Sequence, residues 1–276
     1  MKWLQRLFDF YLDASIHVAF AVFALVHVAG ITLNIPIDRH LAWFLFFGTI
    51  VCYNFMKYGV EAEKYILVAN RYHKNIQFAS FVAFAAASYH AYFLPGRIWA
   101  ALACLVFLTF LYALPVLPKA GKLRNLGGFK MLVVALVWAG TTVVLPALEW
   151  GRVGWWDTGI ETLRHFLLVF ILLIPFEIRD LVYDSPDLHT LPQRIGIART
   201  KIVGALANMP LFFVVLFKDS IAVFELVAAG ILFLGFGFLM FFTQRKQGRY
   251  FSSFFVESIP IMLWGVYLVL QYLFNS

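Results

Sequence analysis

The chain has 276 residues, 62% hydrophobic and 13% charged, with 31 phenylalanines. A soluble domain carries roughly a quarter charged residues, so this composition excludes an ordinary water-soluble globule and indicates an integral membrane protein. The net charge of +7 follows membrane topology and no nucleic-acid module accompanies it, so nucleic acid is set aside as a partner, while anionic lipid and a phosphorylated substrate stay open.

In chain order, Trp3, Leu4, Leu7, Phe8 and Tyr11 recur at helical spacing, which predicts a short interfacial helix lying on the membrane. The apolar run from Ala14 to about Leu33 exceeds a signal-peptide core and lacks a small-x-small cleavage site, so it reads as a retained first span. Further apolar stretches of roughly 20 residues follow, long enough to cross a bilayer as helices. They lack the ten-residue alternation of an outer-membrane barrel. Nine spans are predicted, at 14–35, 40–58, 76–94, 97–117, 129–148, 161–178, 200–217, 221–242 and 253–274. With no linker or internal repeat, residues 1–276 read as a single multi-span domain. Cys52 and Cys104 fall inside spans and read as small buried hydrophobes.

The 22 Lys and Arg sort between the two sides. Arg39, Arg97, Arg152, Arg164 and Lys218 fall on one side, 5 in all, and the remaining 17 on the other. By the positive-inside rule the N-terminus is cytoplasmic and the C-terminus faces outward. The cytoplasmic loops at 59–75 and 179–199 then carry most of the polar residues, with a basic loop at 118–128.

The sixth span ends in Glu177, Asp180 and Asp184, spaced i, i+3, i+7, one face of a helix. A carboxylate at the edge of hydrocarbon must be paired, metal-bound or in a wet cavity. A divalent-metal site and an acid cluster paired with Arg179 and Arg194 are both open on spacing alone. Lys57, Glu61 and Lys64 share a helix face and either point into the same cavity or form a surface ion pair. The histidines show no metal-ligand spacing, so haem is not expected.

Glu177-Ile-Arg-Asp180-Leu-Val-Tyr-Asp184, then Thr190-Leu-Pro-Gln-Arg-Ile-Gly196, resembles the second aspartate-rich motif of the UbiA superfamily of membrane prenyltransferases. That motif reads close to D/E-I-R-D-x-x-x-D, then T-L-P-x-x-x-G, between the sixth and seventh of nine helices. The gap here is one residue shorter, with Asp187 near the usual glycine. Tyr112-Ala-Leu-Pro followed by Lys119, Lys122, Arg124, Asn125 and Lys130 is similar to the family's tyrosine-and-basic loop. The first motif, N-D-x-x-D-x-x-x-D, departs: Asn54 is kept, but Phe55, Tyr58 and Ala62 stand where aspartates would be.

The resemblance implies a nine-helix bundle of the UbiA type with a cavity open to the cytoplasm. It implies Mg²⁺-assisted transfer of an isoprenyl group from a diphosphate donor to a lipophilic acceptor, aromatic or quinone-like. Asp180 and Asp184 would be catalytic, with Glu177 joining them as metal ligands. Asn54, Lys57, Tyr112, Lys119, Lys122, Arg179 and Arg194 would bind substrate. The vacant first motif implies a single Mg²⁺. Lys119, Lys122 and Arg124 suit either diphosphate or anionic lipid. A relative that only binds an isoprenoid or quinone-like lipid is the alternative function. A transporter fits less well, because the polar residues gather on one face rather than at midplane.

Overall fold

A computed structural model describes residues 2–58, 71–113, 129–152, 154–184 and 188–275, and every regular element among them is helical. Helix α1, Lys2–Asp13, meets α2, Ile16–Thr32, at a bend of 56°. Ser15 makes the corner at φ 59°. The bend leaves Trp3, Leu4 and Leu7 of α1 exposed, as an interfacial helix requires.

The remaining helices are α3 Arg39–Tyr58, α4 Arg71–Ala91, α5 Gly96–Ala113, α6 Phe129–Trp150 and α7 Trp155–Asp180. The short α8, Leu191–Ile195, precedes α9 Ile197–Phe217, α10 Val223–Phe242 and α11 Phe251–Phe274. By length and apolar content α3, α6, α7, α9, α10 and α11 can each cross a membrane, and the bent α1–α2 pair makes a seventh if counted as one span. The protein is therefore a multi-pass integral membrane protein. The expected nine spans are met in part. Helix α4 opens on Arg71, His73, Lys74, Asn75 and Gln77, which lowers its apolar content. The apolar stretch of α5, Gly96–Thr109, is too short to qualify.

Packing centres on α7. Its Leu168, Ile171, Ile174 and Ile178 join Leu25 of α2, Met131 of α6, Leu232 and Phe236 of α10 and Tyr267 of α11 in one buried cluster. Lipid tails are as apolar as leucine, so association within a bilayer relies on close contact and small residues more than on burial of oily surface. Helix α2 is buried almost all round and supplies Ala19, Ala21, Ala24, Ala29 and Gly30. Gly204 of α9 shows how tight the contact is, since a Cβ there would meet Met240 Sδ at 2.5 Å and Ile174 Cδ1 at 2.7 Å.

Two helices carry a π-helical turn, Gly140–Val144 in α6 and Phe251–Val256 in α11. Such turns widen the helix and re-aim the side chains beside them. The Thr190-Leu-Pro tail has a structural role: Gln193 Oε1 accepts from the Thr190 N–H at 2.9 Å, closing the turn that becomes α8. Gly196 at φ 81°, ψ 160° then joins α8 to α9, a conformation essentially confined to glycine. The tail thereby sets the direction in which the chain leaves the acidic motif. Cys104 is exposed on α5, against the expectation of burial, and Cys52 is partly buried.

Candidate active site

A cavity of about 350 Å³ lies between α2, α3, α6, α7 and α11. Its body is apolar, formed by Val18 and Ala21 of α2, Val134 of α6, Val169 and Leu172 of α7, and Pro260 of α11. Tyr53 and Trp138 complete the wall, where Trp138 Nε1 donates to the Tyr53 hydroxyl at 2.9 Å. Six charged side chains line it as well: Lys57, Lys130, Glu177, Arg179, Asp180 and Glu257. An oily chamber with a charged lining is the arrangement expected for a ligand with an apolar chain and an ionic head.

The charged groups are matched in part. Lys130 Nζ lies 3.6 Å from Glu177 Oε1. Arg179 Nε donates to Asp180 Oδ1 at 2.7 Å, and the guanidinium sits over the Phe176 ring, 5.1 Å from its centre. The Pro175 carbonyl, one turn before Arg179, accepts from Gln247 Nε2 at 2.8 Å, which holds the α10–α11 connection against this end of α7.

Helix α7 ends at Asp180, and the chain continues as a turn in which the Asp184 N–H donates to Asp180 O at 2.9 Å. Asp184 does not line the cavity, but its Oδ2 is buried without a hydrogen-bond partner among the described residues. Burial pushes the Asp184 carboxyl above its ordinary value, Lys130 opposes this and Asp180 adds to it. Among the described residues no three His, Cys, Asp or Glu side chains converge as a metal site, and Glu177 and Asp180 each face a cation of the chain. The donor set still suits a hard cation. Mg²⁺ needs only one or two carboxylates beside substrate phosphate and water, and Asp184 Oδ2 is an uncommitted carboxylate oxygen one turn from Asp180.

The other expected residues divide. Lys57 and Arg179 line the cavity. Asn54 is not in its lining: it is fully buried, with Nδ2 donating to Ala14 O at 3.1 Å and Ser80 Oγ at 2.9 Å, and so ties the α1–α2 corner, α3 and α4 together. Arg194 is exposed on α8 and does not reach the cavity. The Tyr112 side chain, Lys119, Lys122, Arg124, Glu61 and Lys64 lie outside the described residues. Sequence reasoning passed over Glu257, Tyr53 and Trp138, and gave Lys130 no individual role. Glu257 did carry a signal, being the only acid in the last predicted span, where acids are costly without a purpose.

No family model and no curated protein matches the sequence. Solved structures match its fold. One is a UbiA homolog from Archaeoglobus fulgidus bound to GPP and Mg²⁺, with a TM-score of 0.60 at 13% identity over 95% of this chain and 99% of that one. The chain has the UbiA fold. A structure described as giving insight into digeranylgeranylglyceryl phosphate synthase in membranes agrees, with a TM-score of 0.57 at 11% identity and 98% of each chain covered. At such identities the likeness speaks for the path of the chain, and the roles of individual residues rest on the geometry of the cavity.

Proposed function

We propose that the protein is a divergent member of the UbiA superfamily that transfers an isoprenyl group from a diphosphate donor to a lipophilic acceptor, aromatic or quinone-like. The observation that carries this reading is the placing of Glu177, Arg179 and Asp180 in the wall of a chamber whose body is apolar and whose lining is also charged by Lys57, Lys130 and Glu257. On this reading the chamber holds the isoprenoid chain, and Lys57 and Arg179 meet the diphosphate. Glu177, Asp180 and Asp184 are the residues that would hold Mg²⁺, a single ion. Bound there, the ion would neutralise negative charge growing on the leaving diphosphate.

Charge accounting supports the need for an ion. The three cations lining the cavity, Lys57, Lys130 and Arg179, are balanced by three acids, Glu177, Asp180 and Glu257. A diphosphate entering this neutral setting lacks a net counter-charge unless it brings a cation with it.

A second reading is favoured by one observation. Phe55 is exposed and the Tyr58 hydroxyl donates to Asp13 O at 3.2 Å, so neither first-motif position supplies a ligand. A relative that holds an isoprenoid or quinone-like lipid without transferring it fits that loss. Purified protein given geranyl diphosphate, Mg²⁺ and a panel of phenols separates the two: prenylated product with stoichiometric diphosphate release supports transfer, and bound lipid without release supports the binder.

The same reading has nine crossings, a cytoplasmic N-terminus and an outward C-terminus. In a background lacking Cys52 and Cys104, a cysteine at the exposed His189 should be shielded from an impermeant thiol reagent in intact cells. One at the exposed Tyr92, between α4 and α5, should react. The reverse pattern would overturn the orientation.

A further inference from the structure

The cavity holds three carboxylates, and they are not equivalent. Glu177 faces Lys130 at 3.6 Å and Asp180 is hydrogen-bonded to Arg179 at 2.7 Å. Both also belong to the stretch that would hold the ion. Glu257 comes from the opposite end of the sequence, just after the π-helical turn of α11. It lines the cavity and is partly buried. Its backbone N–H reaches back to Ser252 O at 3.4 Å, while its carboxylate makes no hydrogen bond or ion pair with a described residue. Lys57 of α3 and Arg179 of α7 are its charged neighbours, and they line the same space without meeting it. Among the described residues Tyr11 of α1 is a further titratable group close enough to interact with it. His17 of α2 is turned away, with Nε2 3.1 Å from Ser258 Oγ and from Phe254 O.

Prenyl transfer needs such a group. As the acceptor's oxygen or ring carbon bonds to C1 of the donor, the C1–O bond breaks and diphosphate leaves with the electron pair. The proton carried by the acceptor must then go to a base, and a carboxylate held beside the acceptor takes it more efficiently than water does. A carboxylate already fixed to a cation is a poor recipient. Glu257 is the uncommitted carboxylate of the lining, and the gap between it, Lys57 and Arg179 is where an acceptor would meet a donor head group.

We propose, on the basis of the transferase reading, that Glu257 is a catalytic base that takes the acceptor's proton, with Lys57 and Arg179 stationed on the diphosphate side of the same gap. The fold makes this division possible. The donor-side acids come from the end of α7 and the acceptor-side acid from the start of α11, so the two substrates are addressed by different helices.

The test uses the full chain in lipid nanodiscs, with geranyl diphosphate and Mg²⁺ as donor and phenols of graded acidity as acceptor probes. Glu257→Gln should bind geranyl diphosphate within about threefold of wild type. It should form prenylated phenol about a hundredfold more slowly, the usual scale of a lost general base. The deficit should shrink as the probe becomes acidic enough to ionise unaided, and the rate of the variant should climb with pH. Glu257→Asp should recover part of the activity. Equal turnover by Glu257→Gln, or a deficit that is the same for every phenol, would overturn the assignment. Wild type that binds the donor but alkylates no phenol would overturn it too, leaving the donor site standing. Wild type that does not bind geranyl diphosphate would remove the transferase reading and this inference with it.

Discussion

Replacing Arg164 by methionine should cost the protein roughly 3–5 kcal/mol of stability, the range for stranding one member of a buried ion pair. Arg164 lies on α7 with Glu161 and His165, and all three are buried. Arg164 Nη1 donates to Glu161 Oε2 at 2.8 Å and Nη2 donates to the Tyr267 hydroxyl at 3.1 Å. His165 Nε2 is 3.4 Å from Glu161 Oε1, and its Nδ1 is 2.8 Å from Thr142 Oγ1 in the π-helical turn of α6. The cluster thus fastens α6, α7 and α11 at the end of α7 away from the cavity. Removing the guanidinium leaves the buried Glu161 without its direct ionic partner, with His165 beside it and Lys218, itself paired to Glu225 at 2.6 Å, further off. The double variant Glu161→Gln with Arg164→Met should be less damaged than Arg164→Met alone, because no charge is then left unpaired. Denaturation of the three proteins in the same detergent checks this. A loss below about 1 kcal/mol for Arg164→Met, the scale of an exposed pair, would show that the cluster is wet and loosely held.

Replacing Lys57 by methionine should weaken diphosphate binding by roughly 1.5–3 kcal/mol, as for a lost charged hydrogen bond. Lys57 sits in the last turn of α3 and its side chain lines the cavity. Its charged neighbours are Glu257, Asp13 and Arg179. On the proposed transferase reading, an ammonium at this position would supply positive charge to the diphosphate without needing ligands of its own. Lys57→Arg should do less harm because charge is kept, although the fork of the guanidinium will not reproduce a compact point charge. Isothermal titration with geranyl diphosphate measures the difference. A methionine variant that binds like wild type would show that Lys57 serves only its acidic neighbours.

How far the sequence revealed this arrangement depends on the range of each contact. The acidic stripe was legible because i, i+3 spacing is a local property of a helix, and Glu177 and Asp180 do line the cavity. The continuation to Asp184 was less so, since α7 ends at Asp180 and a face argument weakens where a helix becomes a turn. Asn54 kept the residue type of the family motif, yet its amide bonds to Ala14 and Ser80, partners 40 and 26 positions away that spacing cannot reveal. Glu257 and Trp138 join the site only through tertiary packing, although an acid inside a membrane span was a fair warning. Six spans stand out by apolar length, while α4, with Arg71, Lys74 and Gln77 at its start, shows that a helix of the UbiA fold need not be oily from end to end.

The most direct test of the account is equilibrium binding of geranyl diphosphate to the purified protein, with Mg²⁺ and with a chelator, for wild type, Asp180→Asn and Asp184→Asn. Asparagine is close in shape to aspartate, so folding should be kept while a charged ligand for the ion is lost. The account predicts saturable binding to wild type that the chelator abolishes, and a loss of roughly tenfold or more in each variant with Mg²⁺ present. Equal binding by all three proteins, indifferent to the chelator, would contradict it.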